Sequence, residues 1–257
     1  MRYEAIGETD IGISKHTNQD SLLIKHAMSS KGEIMMAIIC DGMGGLEKGE
    51  LASAIVIRAF SKWFDTEFPK ELMVLDFHII ARKWELLLRD LNTSILNYGK
   101  QHQITLGTTF TGILLVGQSF LMVHVGDTRL YKYKKELLQC SEDHTFVARE
   151  IKQGRLSEEE AKYDHRRNML LQCVGASKVV TPQILINQLD APYYLLCSDG
   201  FRHKISKEEI VTAIKQAKTK EQMSKQIKQL IELVKSRGEK DNISAILIQI
   251  DGGKSND

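Results

Sequence analysis

The sequence of 257 residues predicts an α+β fold in which antiparallel β-sheet forms the core and α-helices cover it. Two observations support this prediction. Short apolar segments separated by turn residues are typical of strands joined as consecutive hairpins, which pair antiparallel. Long amphipathic segments interrupt these strands in blocks, whereas a doubly wound parallel sheet would place one helix between successive strands.

Individual elements follow from the same two patterns. Short apolar segments bounded by turn residues predict strands at Ser21–Lys25, Ile34–Cys40, Thr108–Val116, Phe120–Val125, Arg129–Tyr133, Leu137–Cys140, Gln183–Gln188, Tyr193–Cys197 and Ile243–Ile250. Apolar residues at helical spacing and helix-start signals predict helices at about Glu47–Phe64, Leu72–Tyr98, Phe146–Gly154, Ser206–Lys218 and Lys220–Ser236, with a further start at Ser157. Turn-forming dipeptides predict hairpins at Gly117-Gln118, Gly126-Asp127 and Lys134-Lys135.

We expect one domain over residues 1–250 and a loose tail over residues 251–257. Single sandwich domains commonly reach about 200–250 residues, so this length favours one domain over two. Hydrophobic residues make up 42% and charged residues 26%, which is typical of an ordinary globular protein rather than a disordered one. The 3 prolines form no proline-rich linker.

Charge and targeting signals narrow the class of protein. The formal net charge is +2, without the concentrated basic patch of a nucleic-acid-binding protein. In the most basic stretch, Lys207–Lys240, lysines alternate with glutamates, which favours a solvated helix face over a nucleic-acid surface. Met1–Asp10 is polar and the longest apolar runs are too short to span a bilayer, so we expect no signal peptide, no membrane partner and a cytoplasmic location.

Five aspartates share a position next to a predicted strand, often beside a glycine: Asp20, Asp41, Asp127, Asp199 and Asp241. A strand end is a rigid mount, and glycine lets the backbone turn close to an ion. Converging carboxylates repel each other unless cations lie among them, and oxygen ligands favour Mg²⁺ or Mn²⁺ over zinc. The four cysteines lie far apart, without zinc-ligand spacing. A single Asp-Gly is more often a turn than a ligand, but the order and contexts of all five favour a metal centre.

With these aspartates in place, the sequence resembles the metal-dependent, type 2C serine/threonine protein phosphatases in their bacterial form. The matching motifs are Asn18-Gln19-Asp20, Asp41-Gly42-Met43-Gly44-Gly45, Gly107-Thr108-Thr109, Val125-Gly126-Asp127-Thr128-Arg129, Asp143-His144-Thr145, Ser198-Asp199-Gly200 and Asp241-Asn242-Ile243-Ser244. The resemblance extends from about Gly7 to Ile250. Each motif alone is a weak signal, and all of them in this order make a strong one.

The resemblance implies a four-layer α-β-β-α sandwich of two antiparallel sheets flanked by helices, with a binuclear metal centre at one sheet end. In that family pattern, Asp41 would bridge both ions and the Gly42 carbonyl would bind one of them. Asp199 and Asp241 would bind the other ion. Asp20 would lie close by and hold metal-bound waters.

The implied cofactors are two Mn²⁺ or Mg²⁺ ions per active site, with a third ion in a site framed by Asp127 and Asp199. Two cations roughly 3.5–4 Å apart can share a water and lower its pKa. The resulting hydroxide would attack phosphorus in line with the leaving serine or threonine oxygen, while cations offset charge on the phosphoryl oxygens. The implied enzyme is a monomer whose partners are phosphorylated proteins, the substrates of a serine/threonine kinase.

Lys15 stands five residues before Asp20, where the family usually has an arginine that grips the substrate phosphate. Lysine keeps the charge but loses the bidentate fork. The predicted catalytic residues are therefore Lys15, Asp20, Asp41, Asp199 and Asp241.

Residues 145–180 match the family's mobile flap beside the active site. Within this flap, Asn168–Gly175 replaces a more usual Thr-Arg-Ala-Leu/Val-Gly ending, which bears on substrate choice and on the third metal site. Met43 stands where eukaryotic members often have a histidine that is proposed as the general acid. The identity of the proton donor is therefore open at this point.

Two other functions compete with an active protein phosphatase. One is a catalytically inactive member of the same fold that acts as a binding module, and the other is a phosphatase for small phosphorylated metabolites. Inactive members typically lose metal aspartates, whereas this chain keeps all five. Comparing phosphopeptides with sugar phosphates would separate a protein phosphatase from a small-molecule phosphatase.

Overall fold

A computed structural model describes residues 1–43 and 48–251, which form ten strands and eight helices. The strands are β1 (Arg2–Asp10), β2 (Ser21–Ser29), β3 (Gly32–Cys40), β4 (Phe110–Val116), β5 (Ser119–Val125), β6 (Arg129–Tyr133), β7 (Leu137–Gln139), β8 (Gln183–Gln188), β9 (Tyr193–Cys197) and β10 (Ile243–Asp251). The helices are α1 (Gly49–Thr66), α2 (Phe68–Val74), α3 (Phe77–His102), α4 (Phe146–Lys152), α5 (Glu158–Tyr163), α6 (Asp199–Arg202), α7 (Lys207–Gln216) and α8 (Lys220–Ser236).

The strands form two five-stranded sheets. Sheet A has the order β1-β10-β9-β6-β7, and sheet B has the order β2-β3-β4-β5-β8. All strand pairs in both sheets are antiparallel. The predicted α+β sandwich of two antiparallel sheets flanked by helices is therefore confirmed.

Three apolar layers hold the sandwich together. The layer between the sheets contains Ile39 of β3 and Ile248 of β10, both fully buried. On the outer face of sheet B, α1 and α3 pack through Phe60 and Trp84, whose rings meet edge to face at 5.1 Å. On the outer face of sheet A, α7 and α8 bury residues such as Ile227. Burying one such side chain stabilises the fold by about 1.5–3 kcal/mol.

Strand β1 is missing from the sequence prediction because its residues read as a polar segment. It pairs with β10 along its whole length, from Arg2 opposite Asp251 to Asp10 opposite Ile243. Only part of the strand faces the apolar layer between the sheets, through Tyr3 among others. An edge strand of this kind depends on pairing with a segment at the far end of the chain, which local hydrophobicity does not reveal.

The predicted single helix over Leu72–Tyr98 is wrong at its start. The chain forms the short helix α2, then Leu75 adopts a left-handed conformation with φ of 38°, and α3 begins two residues later. Asp76 is the N-cap of α3, and its side chain accepts a hydrogen bond from the backbone N–H of His78 at 2.7 Å. An aspartate that satisfies the free N–H groups of a new helix favours a break at this point.

Two of the three predicted hairpins form. Gly117-Gln118 joins β4 to β5, and residues 134–136 join β6 to β7. The Gly126-Asp127 dipeptide is not a hairpin, because β5 belongs to sheet B and β6 belongs to sheet A. This turn instead carries the chain from one sheet to the other at the end of the sandwich where the aspartates lie.

Ser157 caps α5 as predicted, because its side chain accepts from the N–H of Glu160 and the Glu160 side chain accepts from the N–H of Ser157. Three predicted features lie outside the described residues: the helix start at Glu47, the motif glycines Gly44 and Gly45, and residues 252–257 of the predicted tail. Within the described part of the chain, no helix is both long and apolar enough to cross a membrane.

Candidate active site

The five aspartates predicted to bind metal come together at one end of the sandwich. Asp20 directly precedes β2 and Asp41 directly follows β3, both in sheet B. Asp199 lies just after β9 and Asp241 just before β10, both in sheet A. Asp127 lies in the turn that links the sheets. All of them except Asp20 line one cavity of about 780 Å³.

Asp20 does not line this cavity and is 8% exposed. Its Oδ1 and Oδ2 atoms are buried, and neither has a hydrogen-bond partner among the described residues. Burial, together with the charges of Asp199 and Asp241, raises the pKa of Asp20 to about 7, although the nearby hydroxyls of Ser244 and Ser198 act in the opposite direction. Burial and like charges thus favour the protonated form of this carboxyl group more than in an ordinary aspartate.

Asp41 and Asp127 experience the same repulsion. Burial, followed by the charges of Asp20 and Asp199, raises the pKa of Asp41 well above its ordinary value. Burial and the charge of Asp199 raise the pKa of Asp127 to about 7, although the guanidinium of Arg202 lowers it. Carboxylates in this arrangement ionise fully only when further positive charge is placed among them.

The donor set fits divalent cations. Besides the two oxygens of Asp20, Oδ1 of Asp199 is buried without a hydrogen-bond partner in the described structure. Buried polar atoms without partners are uncommon in folded proteins and call for an explanation such as a bound ion. Carboxylate oxygens are the ligands that Mg²⁺ and Mn²⁺ prefer. In residues 1–43 and 48–251, no three Asp, Glu, His or Cys side chains already surround a common ion position, so ion binding requires side-chain adjustment.

The backbone at Asp41 and Gly42 is held firmly. The N–H of Thr109 donates to the carbonyl of Asp41 at 2.9 Å, and the N–H of Asp41 donates to the Thr109 hydroxyl at 2.9 Å. The N–H of Gly42 donates to the Gln19 carbonyl at 3.1 Å. A Cβ atom on Gly42 would lie 2.6 Å from that carbonyl oxygen and 2.5 Å from the carbonyl oxygen of Gly49. Only glycine fits between these segments.

Lys15 lines the same cavity, and its Nζ lies 2.8 Å from Oδ1 of Asp241. Burial opposes the charged form of Lys15, but the hydrogen bond to Asp241 and the charges of Asp241, Asp41 and Asp199 outweigh it, so the pKa of Lys15 is raised. The ammonium group is therefore charged at neutral pH and borders the cavity.

Asn242 is a structural residue of the site that the sequence prediction did not single out. Its Nδ2 donates to the carbonyls of Ile11 at 2.9 Å and Thr17 at 3.3 Å, and its Oδ1 accepts from the N–H of Gln19 at 3.0 Å. These bonds hold the loop between β1 and β2, which carries the predicted phosphate-gripping lysine, against the start of β10. The available signal was its place directly after Asp241 in a matching motif.

Two arginines beside Asp127 were also missed. Arg129 forms paired hydrogen bonds with Asp143, with Nε–Oδ1 at 2.8 Å and Nη2–Oδ2 at 2.6 Å. Nη2 of Arg202 lies 3.2 Å from the carbonyl oxygen of Asp127 and 3.5 Å from its Oδ2. Burial acts to raise the pKa of Asp143, but the bonds to Arg129 and the charge of Arg202 lower it below its ordinary value. This ionised network fixes the turn that carries Asp127.

The flap, residues 145–180, forms much of the cavity wall opposite the aspartates. His144 lies at its base, where Nδ1 accepts from the N–H of Gly126 at 3.1 Å and lies 2.9 Å from Nε2 of Gln172. The Gln172 amide also exchanges two hydrogen bonds with the backbone of Thr181, both at 3.0 Å. The flap is thus connected to the turn that links the two sheets.

The comparisons with known proteins agree with this geometry. Residues 12–247 match the family model described as protein phosphatase 2C. The chain is 30% identical to the serine/threonine protein phosphatase PstP of Mycobacterium tuberculosis over 97% of this chain and 45% of that protein. It is 27% identical to the serine/threonine phosphatase stp of Listeria monocytogenes over 95% of this chain and 94% of that protein.

Two solved structures extend the likeness to three dimensions. The serine/threonine phosphatase Stp1 from Staphylococcus aureus superposes with a TM-score of 0.86 at 28% identity, covering 98% of this chain and 96% of that one. The catalytic domain of PstP in complex with two manganese ions superposes with a TM-score of 0.78 at 29% identity, covering 97% of this chain and 99% of that one.

Proposed function

Because the chain belongs to the protein phosphatase 2C family and is a protein serine/threonine phosphatase, we propose that it uses two Mn²⁺ or Mg²⁺ ions held by the aspartate cluster. The observation that carries this proposal is the set of buried carboxylate oxygens without partners in the described structure, at Asp20 and Asp199. Oxygens in this state bind hard cations and gain the charge compensation that they lack. The manganese-bound structure of PstP is consistent with the same ion chemistry.

Each aspartate has a separate role in the proposal. Asp41 and the Gly42 carbonyl would hold the ions together with Asp199 and Asp241, with Asp41 as the ligand that the two ions share. Asp20 orients the waters around the ions. When bound, the ions would supply Lewis-acid activation of water for in-line attack on phosphorus, with the serine or threonine oxygen as the leaving group.

The chain's own residues position the substrate around that reaction. Lys15 holds a phosphoryl oxygen with its ammonium group, because it lines the cavity and is charged at neutral pH. Asp127 and Asp199 frame a site for a third ion, and Arg202 holds the Asp127 turn in place. The flap closes the cavity on the side opposite the aspartates and limits access of water to the reacting groups.

The proposal extends to the whole chain and to its partners. Residues 1–250 act as one catalytic domain with the flap at 145–180, and the enzyme works as a monomer in the cytoplasm. Its substrates are proteins phosphorylated by a serine/threonine kinase.

The test is hydrolysis of a phosphothreonine peptide with Mn²⁺, with and without a chelator. Asp41→Asn, Asp199→Asn and Asp241→Asn should each lower turnover by about 100-fold or more while the fold is kept, because asparagine has nearly the same shape but lacks the anionic oxygen. Asp65→Asn, which changes an exposed aspartate paired with Lys25, is the matched control.

Three results would contradict the proposal in different ways. Near-normal turnover by Asp41→Asn at saturating Mn²⁺ would show that the metal assignment is wrong. Faster hydrolysis of sugar phosphates than of phosphopeptides would favour a small-molecule phosphatase. Absence of metal-dependent hydrolysis of any phosphate ester would favour an inactive binding module.

A further inference from the structure

The flap presents an apolar ridge at the edge of the active-site cavity. Leu171 and Val179 line both this cavity and a second one of about 890 Å³ on the other side of the flap. Their side chains are 41% and 63% exposed. The ridge therefore separates two depressions, of which the first contains the proposed metal site.

The backbone under one half of this ridge is fixed to α3. The buried side chain of Asn92 accepts from the N–H of Gly175 at 2.8 Å and donates to the carbonyl of Ser177 at 2.9 Å. Nε of Arg89 donates to the carbonyl of Val180 at 3.3 Å. Lys178 and Val179 thus lie on a backbone segment that is bonded to α3 on both sides, at Ser177 and at Val180.

The other half of the ridge is anchored as well. The N–H of Leu171 donates to the carbonyl of His144 at 2.8 Å, and the amide of the next residue, Gln172, is bonded to the backbone of Thr181. The exposed apolar side chains of the ridge consequently lie on ordered backbone. A surface that is ordered before binding loses less conformational entropy when a partner covers it.

On the side of the active-site cavity, a lysine accompanies the ridge. Lys178 is exposed and is the one charged residue of the flap segment 168–179. Among the described residues, Lys178 has no carboxylate partner within ion-pair distance, whereas Lys15, the other cation that lines the cavity, is paired with Asp241 at 2.8 Å. Lys178 is therefore available to a negative charge on a bound substrate.

We propose that Leu171, Lys178 and Val179 form a substrate-selecting surface, which accepts a phosphoprotein segment with one acidic and one bulky apolar side chain beside the phosphorylated residue. The inference rests on the proposed function, since it takes the phosphoryl group to enter the cavity that these residues border. The apolar side chain covers the ridge and removes it from water, while the acidic side chain pairs with Lys178.

Four phosphothreonine peptides test the proposal, with Glu or Lys combined with Leu or Ser beside the phosphothreonine. The measured quantity is kcat/KM in the presence of Mn²⁺. We expect Glu to be preferred over Lys by about two- to fivefold, which is the usual size of an exposed charge interaction. We expect Leu to be preferred over Ser by about tenfold, at the low end of what burial of a leucine gives.

Variants with matched controls assign these preferences to the ridge. Lys178→Glu should reverse the order of the Glu and Lys peptides, whereas Lys162→Glu, an exposed lysine of α5 outside the cavity wall, should keep the wild-type order. Val179→Ser should weaken the preference for Leu. Met169→Ser, which changes an exposed flap residue that lines neither cavity, should keep it. If Lys178→Glu folds poorly, Lys178→Ala should bring the ratio of the Glu and Lys peptides close to one.

Two outcomes would overturn the inference, and they are distinguishable from each other. If Mn²⁺-dependent hydrolysis occurs but the wild type treats the four peptides alike, or Lys178→Glu keeps the wild-type order, the surface of Leu171, Lys178 and Val179 does not select substrates as proposed. If no phosphopeptide is hydrolysed with Mn²⁺, the proposed function fails, and the role of the ridge fails with it.

Discussion

Lys15 connects the aspartate cluster with the open part of the cavity. Its Nζ lies 2.8 Å from Oδ1 of Asp241, one of the proposed metal ligands. An ion bound to Asp241 would share the negative charge of this carboxylate and weaken its hold on the lysine. The ammonium group would then be free to approach a phosphoryl oxygen, as a point charge rather than as the bidentate fork that an arginine offers.

We expect Lys15→Ala to raise the KM for a phosphothreonine peptide by about tenfold, because it removes a charged hydrogen bond to the phosphate. Lys15→Arg should leave the KM similar or lower it. Turnover at saturation should change less, since the metals provide most of the transition-state stabilisation. Steady-state kinetics check this expectation, with Lys31→Ala in an exposed turn as the control. An unchanged KM in Lys15→Ala would mean that Lys15 serves only as a partner of Asp241.

At the scale of elements, the flap depends on a few long-range hydrogen bonds. Asn92 is 4% exposed and joins the flap to α3 through two backbone groups, the N–H of Gly175 and the carbonyl of Ser177. These bonds lie next to the residues proposed to select substrates. The position of the flap is therefore set by a helix that is remote in sequence.

We expect Asn92→Leu to lower the free energy of unfolding by about 1–3 kcal/mol, because leucine leaves buried backbone groups without partners. Thr93→Ala, at an exposed neighbouring position on the same helix, is the control and should change stability much less. Urea unfolding monitored by circular dichroism measures the difference. Equal stability of Asn92→Leu and Thr93→Ala would show that the flap is not held through this side chain.

The contrast between β8 and β1 shows which elements the sequence could predict. Gln183–Gln188 has the same bounds in the prediction and in the structure, because clear turn signals frame a short segment of strand-forming residues. β1 depends on pairing with β10 across almost the whole chain, and the Gly126-Asp127 turn changes sheets. Such features arise from tertiary pairing, which overrides local propensity and turn signals.

The site follows the same rule. The convergence of the five aspartates could be predicted because each stands in a short motif next to a strand, and their metal-binding roles stay a prediction. Asn242, Arg202 and Asn92 could not be assigned their roles, because their partners are distant in the chain. Asn242, for example, bonds to Ile11 and Thr17 at the opposite end of the sequence.

At the scale of the whole molecule, the aspartate cluster exists only when both sheets pack together. Asp41 comes from sheet B, Asp199 and Asp241 come from sheet A, and Asp127 lies in the turn between them. Packing of the apolar layer between the sheets therefore forces like charges together and buries them. Without cations, this arrangement stores a repulsion that the rest of the fold must offset.

This repulsion predicts how stability depends on pH in the metal-free protein. The pKa of Asp20 is raised to about 7 in the folded state, whereas an aspartate in an unfolded chain titrates near about 3.9. As pH rises from about 4 to about 7, the unfolded state ionises Asp20 readily and the folded state does not. The metal-free protein should therefore lose up to about 1.4 kcal/mol of stability per pH unit in this window through Asp20 alone.

Asp20→Asn removes the titrating group and should make the metal-free protein more stable than the metal-free wild type at pH 8, by on the order of 2–4 kcal/mol. The same change should reduce the stabilisation by Mn²⁺, which for the wild type reaches about 2.7 kcal/mol at 100 times its dissociation constant. Urea unfolding from pH 5 to pH 8, with chelator or with Mn²⁺, measures both effects, and Asp65→Asn controls for the loss of an exposed carboxylate. If the wild type and Asp20→Asn lose stability in parallel across this range, Asp20 does not cause the pH dependence, and the argument that this buried carboxylate needs a cation fails.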